Sequence, residues 1–203
     1  MIDETLFRNV LREIKENPNY ADDIIDSFSD NQFKSKTKIL DYINNLNILT
    51  SDSEVIIFGS WYGSILIPGL TKKVKRISCI DIHERVLKIA KNRLFNHLNN
   101  IDYIASDVFE KDRERYWNAK LFINTSCEHM LPMKKWPWWN NLQSEAYFAF
   151  TSNDMGNIEG HVNCVHSIEE FKTQLPDNFT VLFEDEISDE RGTRFILVGK
   201  IHS

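Results

Sequence analysis

The stretch that most constrains the fold is 55–81, which reads VIIFGSWYGSILIPGLTKKVKRISCID. A short apolar run leads into a turn that contains Gly59 and Gly63, and a second apolar run ends in Asp81. This order is typical of a βαβ unit in an open α/β sheet, where a glycine turn brings the backbone close to a ligand. Asp81 follows the turn by about twenty residues, where a carboxylate can accept two ribose hydroxyls. The segment therefore predicts a nucleotide-type pocket.

The bulk composition fits a single globular domain over residues 1–203, with 42% hydrophobic and 27% charged residues. A net charge of -6 and a pI near 5.5 argue against a surface that coats nucleic acid. Three widely spaced cysteines indicate free thiols in a reducing compartment. No apolar run approaches the ~20 residues needed to span a bilayer. We therefore expect a cytoplasmic protein without a membrane partner.

The hydrophobic pattern changes near residue 50. Residues 1–50 carry apolar side chains at helical spacing and predict a helical N-terminal cap, whereas 52–201 alternates between short apolar strands and helical segments. The predicted strands are 55–58, 76–80, 101–105, 119–124, 146–151, 180–186 and 194–200. The last two flank a turn at 188–192, which indicates an antiparallel hairpin. The expected fold is α/β, a Rossmann-like seven-stranded mixed sheet with a C-terminal antiparallel hairpin and the helical cap.

Several features in this order resemble the class I S-adenosylmethionine-dependent methyltransferases. They are the glycine turn, acids after the second and third strands, a polar motif after the fourth strand and the closing hairpin, and the resemblance covers about 52–201. It implies S-adenosylmethionine as cofactor. The residues implied to hold it are Gly59, Ser60, Trp61 and Gly63 in the turn, Asp81 at the ribose, Ile82, Asp107 and Val108 at the adenine, and Asn124. The alternative is that Asp81 and Asp107 merely cap helices.

Two positions depart from the family pattern. Ile57 stands where the family carries an acid two residues before its first glycine, and Trp61 replaces the middle glycine. An indole at position 61 prevents a ligand from approaching the backbone closely, unless the ring points away from the turn and covers the site. These departures leave two alternatives open: an aminobutyl-transferring enzyme of nicotianamine type, and a cofactor-dead methyltransferase-like scaffold.

The polar motif after the fourth strand, NTSCEHM at 124–130, carries the candidate catalytic residues Asn124, Glu128 and His129. His129 can take a proton from an oxygen or nitrogen acceptor, and Glu128 can orient His129 or the substrate. The alternative is a helix-start cap with a packed histidine. Only Asn124 fits the arrangement of the amino-methylating branch, so methylation of a nucleic-acid base is possible but not favoured. We expect methyl transfer to an oxygen or nitrogen nucleophile of a small or medium-sized acceptor.

Candidate acceptor contacts follow in two later segments. Trp136 and Trp138 lie in the run MKKWPWW and can stack on a planar substrate, or else plug the edge of the sheet. Asn153 and His161 come after the fifth strand, at the ligand-bearing edge of the sheet.

A run ahead of the first strand, Gln32-Phe33-Lys34-Ser35-Lys36, is similar to one in some small methyltransferases. The resemblance implies that Gln32 and Lys36 fold over the cofactor, with Lys36 pairing with its carboxylate. The alternative is that Ser35 caps a helix and Lys36 is exposed. No metal is predicted, because the histidines do not fall in a ligand-spaced cluster: His83, His97, His129, His161, His166 and His202.

Overall fold

The computed structural model describes residues 4–110, 118–137, 139–142 and 145–201. The helices are α1 (Glu4–Glu16), α2 (Ala21–Asp26), α3 (Asp30–Leu46), α4 (Leu66–Leu70), α5 (Glu84–Ile89) and α6 (Ile168–Lys172). The strands are β1 (Glu54–Phe58), β2 (Arg76–Asp81), β3 (Ile101–Ala105), β4 (Leu121–Asn124), β5 (Tyr147–Asn153), β6 (Phe179–Asp189) and β7 (Gly192–Ile201). Helix α5 continues into a π-helical turn, Ala90–Leu94. Among the described helices, none is long and apolar enough to cross a membrane.

The seven strands form one mixed sheet in the order β3-β2-β1-β4-β5-β7-β6. Strands β1 to β5 are parallel to one another, whereas β7 pairs antiparallel with both β5 and β6. This confirms the predicted mixed sheet and its terminal hairpin. The chain order reverses between β1 and β4, and in open α/β sheets ligands bind in the crevice outside the carboxyl ends at such a point.

The two faces of the sheet are buried in separate hydrophobic clusters. Ile57 points to the face covered by the N-terminal helices, where it shares a cluster with Leu6 and Ile39. Ile56 and Phe58 point to the opposite face. Ile57 is fully buried among apolar side chains, so the departure from the family's acid at this position serves the packing of the core.

Candidate functional site

A cavity of about 640 Å³ opens at the carboxyl ends of the parallel strands. The loops after β1 to β5 contribute to its wall, together with α3 and the start of β7. This is the edge at which the strand order predicts a ligand site. All of the residues predicted to hold a cofactor or acceptor, except Trp138, lie in the described part of the chain, so their positions relative to this cavity can be compared with the prediction.

The glycine turn after β1 has three residues in the left-handed region of backbone conformation. Gly59 has φ +54°, Trp61 +48° and Gly63 +67°. A Cβ at Gly59 would lie 2.6 Å from Cε of Met130 and 2.9 Å from Cβ of Ser126, so a larger residue would displace both side chains. Trp61 adopts a conformation that costs a side chain roughly 1–2 kcal/mol. The turn therefore keeps a glycine-like backbone in spite of the tryptophan.

Asp81, at the end of β2, is buried and holds this turn in place. Its Oδ2 accepts the backbone N–H of Trp61 at 2.8 Å, and its Oδ1 accepts the N–H of His83 at 2.9 Å. Each carboxylate oxygen retains a further lone pair for a ligand hydroxyl. Asp81 lines the cavity and bridges two loops, which is more than the helix-capping alternative requires.

The predicted adenine-side residues also line the cavity. Asp107 is exposed, and its Oδ1 accepts the N–H of Phe109 at 2.9 Å. Val108 is buried beside it, and Ile82 is 65% exposed at the rim. An exposed carboxylate next to apolar side chains is the kind of surface that can hold a purine edge and face.

Three of the residues predicted to hold the cofactor do not line the cavity. Ser60 and Gly63 close the turn, where the N–H of Gly63 donates to the carbonyl oxygen of Ser60 at 2.8 Å. Asn124 is fully buried, and its Oδ1 accepts the N–H of Ser126 at 2.9 Å. Its Nδ2 lies 3.3 Å from Sδ of both Met130 and Met133. All three were predicted to contact the cofactor. The side chain of Asn124 instead forms hydrogen bonds within the loop after β4.

Helix α3 brings Gln32 and Lys36 to the wall of the cavity. The alternative of an exposed Lys36 is wrong: α3 begins at Asp30, so Ser35 lies within the helix and Lys36 is only 6% exposed. Its Nζ lies 5.8 Å from the ring centroid of Trp61. Burial, followed by the nearby charge of Arg194, lowers the pKa of Lys36 to about 7.

Glu128 lies in a single 3-10 turn, Cys127–His129, and its side chain is buried against β7. Its Oε1 accepts from Nδ2 of Asn153 at 2.7 Å and from Nη1 of Arg194 at 3.2 Å. Nε of Arg194 donates to Oδ1 of Asn31 at 2.9 Å. The second oxygen, Oε2, is buried and has no hydrogen-bond partner among the described residues. Sequence reasoning missed Arg194 and Asn31; the only signal for Arg194 was a charge at the start of an apolar strand.

His129 and His161 come together across the cavity. Their rings meet edge to face with centroids 4.5 Å apart. Nδ1 of His129 lies 3.1 Å from the carbonyl oxygen of Gly160, and Nδ1 of His161 lies 2.9 Å from that of Met155. A carbonyl oxygen only accepts, so both Nδ1 atoms donate and each neutral ring keeps an unprotonated Nε2. Burial, the largest cause, lowers the pKa of His161.

The two imidazoles form a cluster with Glu128. One nitrogen of each ring and one carboxylate oxygen all lie within 4.8 Å of one another. Spacing along the chain does not reveal this cluster, because its two histidines are 32 positions apart in the sequence and lie on different loops. The loops after the adjacent parallel strands β4 and β5 meet at one edge of the sheet.

Trp136 and Asn153 are buried and do not line the cavity, where both were predicted to contact the acceptor. Trp136 is 3% exposed and packs edge to face against Phe58, with ring centroids 4.7 Å apart. This packing agrees with the alternative interpretation of the run MKKWPWW as an aromatic plug. Trp138 lies outside the described residues. Asn153 is fully buried, and its side chain holds Glu128 instead of facing the cavity. The exposed apolar residues at this end of the cavity were not predicted: Leu131, Ile158 and Val162.

Comparison with solved structures identifies the fold. The N-methyltransferase NodS from Bradyrhizobium japonicum WM9, in complex with S-adenosyl-L-homocysteine, matches with a TM-score of 0.69 and 14% identity, over 98% of this chain and 100% of that one. The magnesium protoporphyrin IX methyltransferase ChlM from Synechocystis PCC 6803, with bound S-adenosylhomocysteine, matches with a TM-score of 0.62 and 13% identity, over 83% of this chain and 82% of that one. A SAM-dependent methyltransferase from Aquifex aeolicus matches with a TM-score of 0.60 and 17% identity, over 80% of this chain and 89% of that one. No family model and no curated protein matches the chain. The chain therefore has the class I methyltransferase fold.

Proposed function

We propose that this chain, with its class I methyltransferase fold, is an S-adenosylmethionine-dependent methyltransferase that acts on an oxygen or nitrogen nucleophile of a small or medium-sized acceptor. One observation carries the proposal. A single cavity of about 640 Å³ joins the glycine turn, Asp81 and Asp107 to the paired histidines His129 and His161. A volume of this size suits a ligand pocket.

The residues at one end of the cavity fit the cofactor. Gly59 leaves room that any Cβ would fill, and the buried Asp81 retains lone pairs for ribose hydroxyls. Asp107 and Val108 would contact the adenine, and Lys36 would pair with the carboxylate of the cofactor. The left-handed Trp61 supports cofactor use over the scaffold alternative, because backbone strain of this kind is found mainly where function requires it.

The residues at the other end fit an acceptor and its proton. When bound, the cofactor supplies an electrophilic methyl group on a sulfonium, which the acceptor takes by direct displacement. His129 is exposed to the cavity, and its Nε2 can accept the proton that the acceptor loses. Leu131, Ile158 and Val162 would pack against the apolar part of the acceptor.

The first test is calorimetric titration of the protein with S-adenosylmethionine and S-adenosylhomocysteine. Micromolar binding of both would support the proposal, and absence of binding to a folded protein would overturn it in favour of a scaffold. The products formed with a panel of hydroxyl and amine acceptors then identify the chemistry. S-adenosylhomocysteine indicates methyl transfer, whereas methylthioadenosine would indicate the aminobutyl alternative. Activity on DNA or RNA, with salt-dependent affinity, would redirect the proposal to nucleic acid.

A further inference from the structure

We propose that Glu128, His129 and His161 bind one divalent transition-metal ion at the acceptor end of the cavity. One nitrogen of each imidazole and one carboxylate oxygen lie within 4.8 Å of one another. Ligand atoms about 2 Å from an ion lie at most about 4 Å apart, so a closure of under roughly 1 Å would complete the site. Two imidazoles and a carboxylate on one side of an open cavity leave further coordination positions facing the ligand space.

Both histidines are held in a tautomer that leaves Nε2 free for a metal. Nδ1 of His129 is fixed by the carbonyl oxygen of Gly160, and Nδ1 of His161 by that of Met155. Metal-binding histidines characteristically donate their other ring N–H to a carbonyl or carboxylate, which orients the ring and raises its basicity. This arrangement occurs here twice, on two different loops that line the same cavity.

The carboxylate supplies an independent observation. Glu128 is 2% exposed and lines the cavity, yet only its Oε1 is satisfied, by Asn153 and Arg194. Its Oε2 is buried without a hydrogen-bond partner among the described residues. Leaving a buried carboxylate oxygen unpaired is costly, and a bound cation would provide the missing partner. Asn153 and Arg194 would then be the outer partners that orient a ligating carboxylate.

The donor set indicates the class of metal. Imidazole suits zinc, iron, copper and nickel, whereas magnesium and calcium prefer an all-oxygen shell. An ion at this site would draw the heteroatom of an acceptor to the cavity and lower the pKa of a hydroxyl bound to it. His129 would then act as a ligand, and the proton lost by the bound hydroxyl would pass to solvent at the open end of the cavity. This role in catalysis rests on the proposed methyl transfer; the metal site itself does not.

The test is titration of the metal-free protein, without an affinity tag, with Co²⁺ and Zn²⁺. We expect visible absorption bands of protein-bound Co²⁺, one equivalent bound, and displacement by Zn²⁺. His161→Gln and His129→Gln should each weaken Co²⁺ binding by at least about tenfold, since even outer-shell changes cost about 10–100-fold. His166→Gln, at an exposed histidine that does not line the cavity, is the matched control and should bind like wild type.

Two outcomes would overturn the metal site: no stoichiometric Co²⁺ binding, or binding that both cavity variants retain. Because His129 is exposed, its variant remains informative if His161→Gln fails to fold. Titration of the same samples with S-adenosylhomocysteine separates the two proposals. A wild-type protein that binds the cofactor but no Co²⁺ contradicts the metal site alone, whereas a wild-type protein that binds Co²⁺ but no cofactor contradicts the proposed function alone.

Discussion

The carboxylate of Asp81 accepts the backbone N–H of Trp61 at 2.8 Å, so the acid at the end of β2 holds the turn at the end of β1. Trp61 is the one residue of that turn with a side chain in the left-handed region. A charge-assisted hydrogen bond of this kind is about twice as strong as a neutral one. It therefore helps to hold the strained backbone where a cofactor would lie.

Asp81→Asn should weaken binding of S-adenosylhomocysteine by roughly ten- to a hundredfold. The amide keeps the shape of the side chain but replaces a charged acceptor, whose hydrogen bonds contribute about 1.5–3 kcal/mol. Calorimetric titration measures the change. Asp102→Asn is the control, because Asp102 is half exposed and pairs with Arg76 away from the cavity. Equal affinity of the two variants for S-adenosylhomocysteine would show that Asp81 does not contribute to cofactor binding.

Gly59→Ala should destabilise the protein and weaken cofactor binding together. The added Cβ would lie 2.6 Å from Cε of Met130, and the left-handed backbone alone costs roughly 1–2 kcal/mol. Urea unfolding measures the change in the free energy of unfolding. Gly156→Ala is the matched control, since nothing lies within 4 Å of a Cβ there. A Gly59→Ala variant as stable as this control would contradict the geometry of the turn.

Lys36→Met should stabilise the ligand-free protein. The pKa of Lys36 is lowered from 10.5 to about 7, chiefly by burial, so the unfolded chain binds one more proton between these values. The free energy of unfolding of the wild type should therefore rise with pH over that range. The advantage of Lys36→Met should be largest at or below pH 7 and shrink toward pH 10.5. Thermal unfolding across this range checks it, and a parallel pH profile for both proteins would contradict it.

The same pKa predicts how cofactor affinity depends on pH. A cofactor carboxylate favours the charged form of Lys36, which the free protein loses as pH rises through about 7. Affinity for S-adenosylhomocysteine should therefore fall between pH 7 and 9, with uptake of protons on binding. Calorimetry in buffers of different ionisation enthalpy measures the protons. The Lys36→Met variant gives the baseline for the ligand's own amino group, and identical proton uptake in both proteins would exclude Lys36 from the contact.

Arg194→Met should destabilise the protein by about 3–5 kcal/mol, because it leaves Glu128 buried and without its charged partner. The double variant Glu128→Gln/Arg194→Met should recover part of that loss, since neither charge then remains buried. A double-mutant cycle measured by urea unfolding gives the coupling between the two side chains. Additive effects of the two substitutions would show that the ion pair contributes no coupling energy.

The fold was predictable because its signals are local. Apolar runs bounded by turn residues located all seven strands, and the turn at 188–192 indicated the hairpin. The boundaries were less exact: β6 extends over Phe179–Asp189, with a register shift between Val181 and Phe183. Such irregularities depend on the partner strand, so the sequence of one strand cannot specify them.

The sequence by itself was enough to select the glycine turn, Asp81, Asp107 and the pair Glu128 and His129 as candidate site residues. Each of them follows a predicted strand, and that position can be recognised from the chain alone. Only the tertiary structure decided what surrounds them. Arg194 reaches Glu128 because β7 runs antiparallel to β5, which pairs Arg194 with Asn153. His161 meets His129 because the ends of adjacent parallel strands share an edge. Contacts between residues distant along the chain arise from strand order and register, which no local pattern encodes.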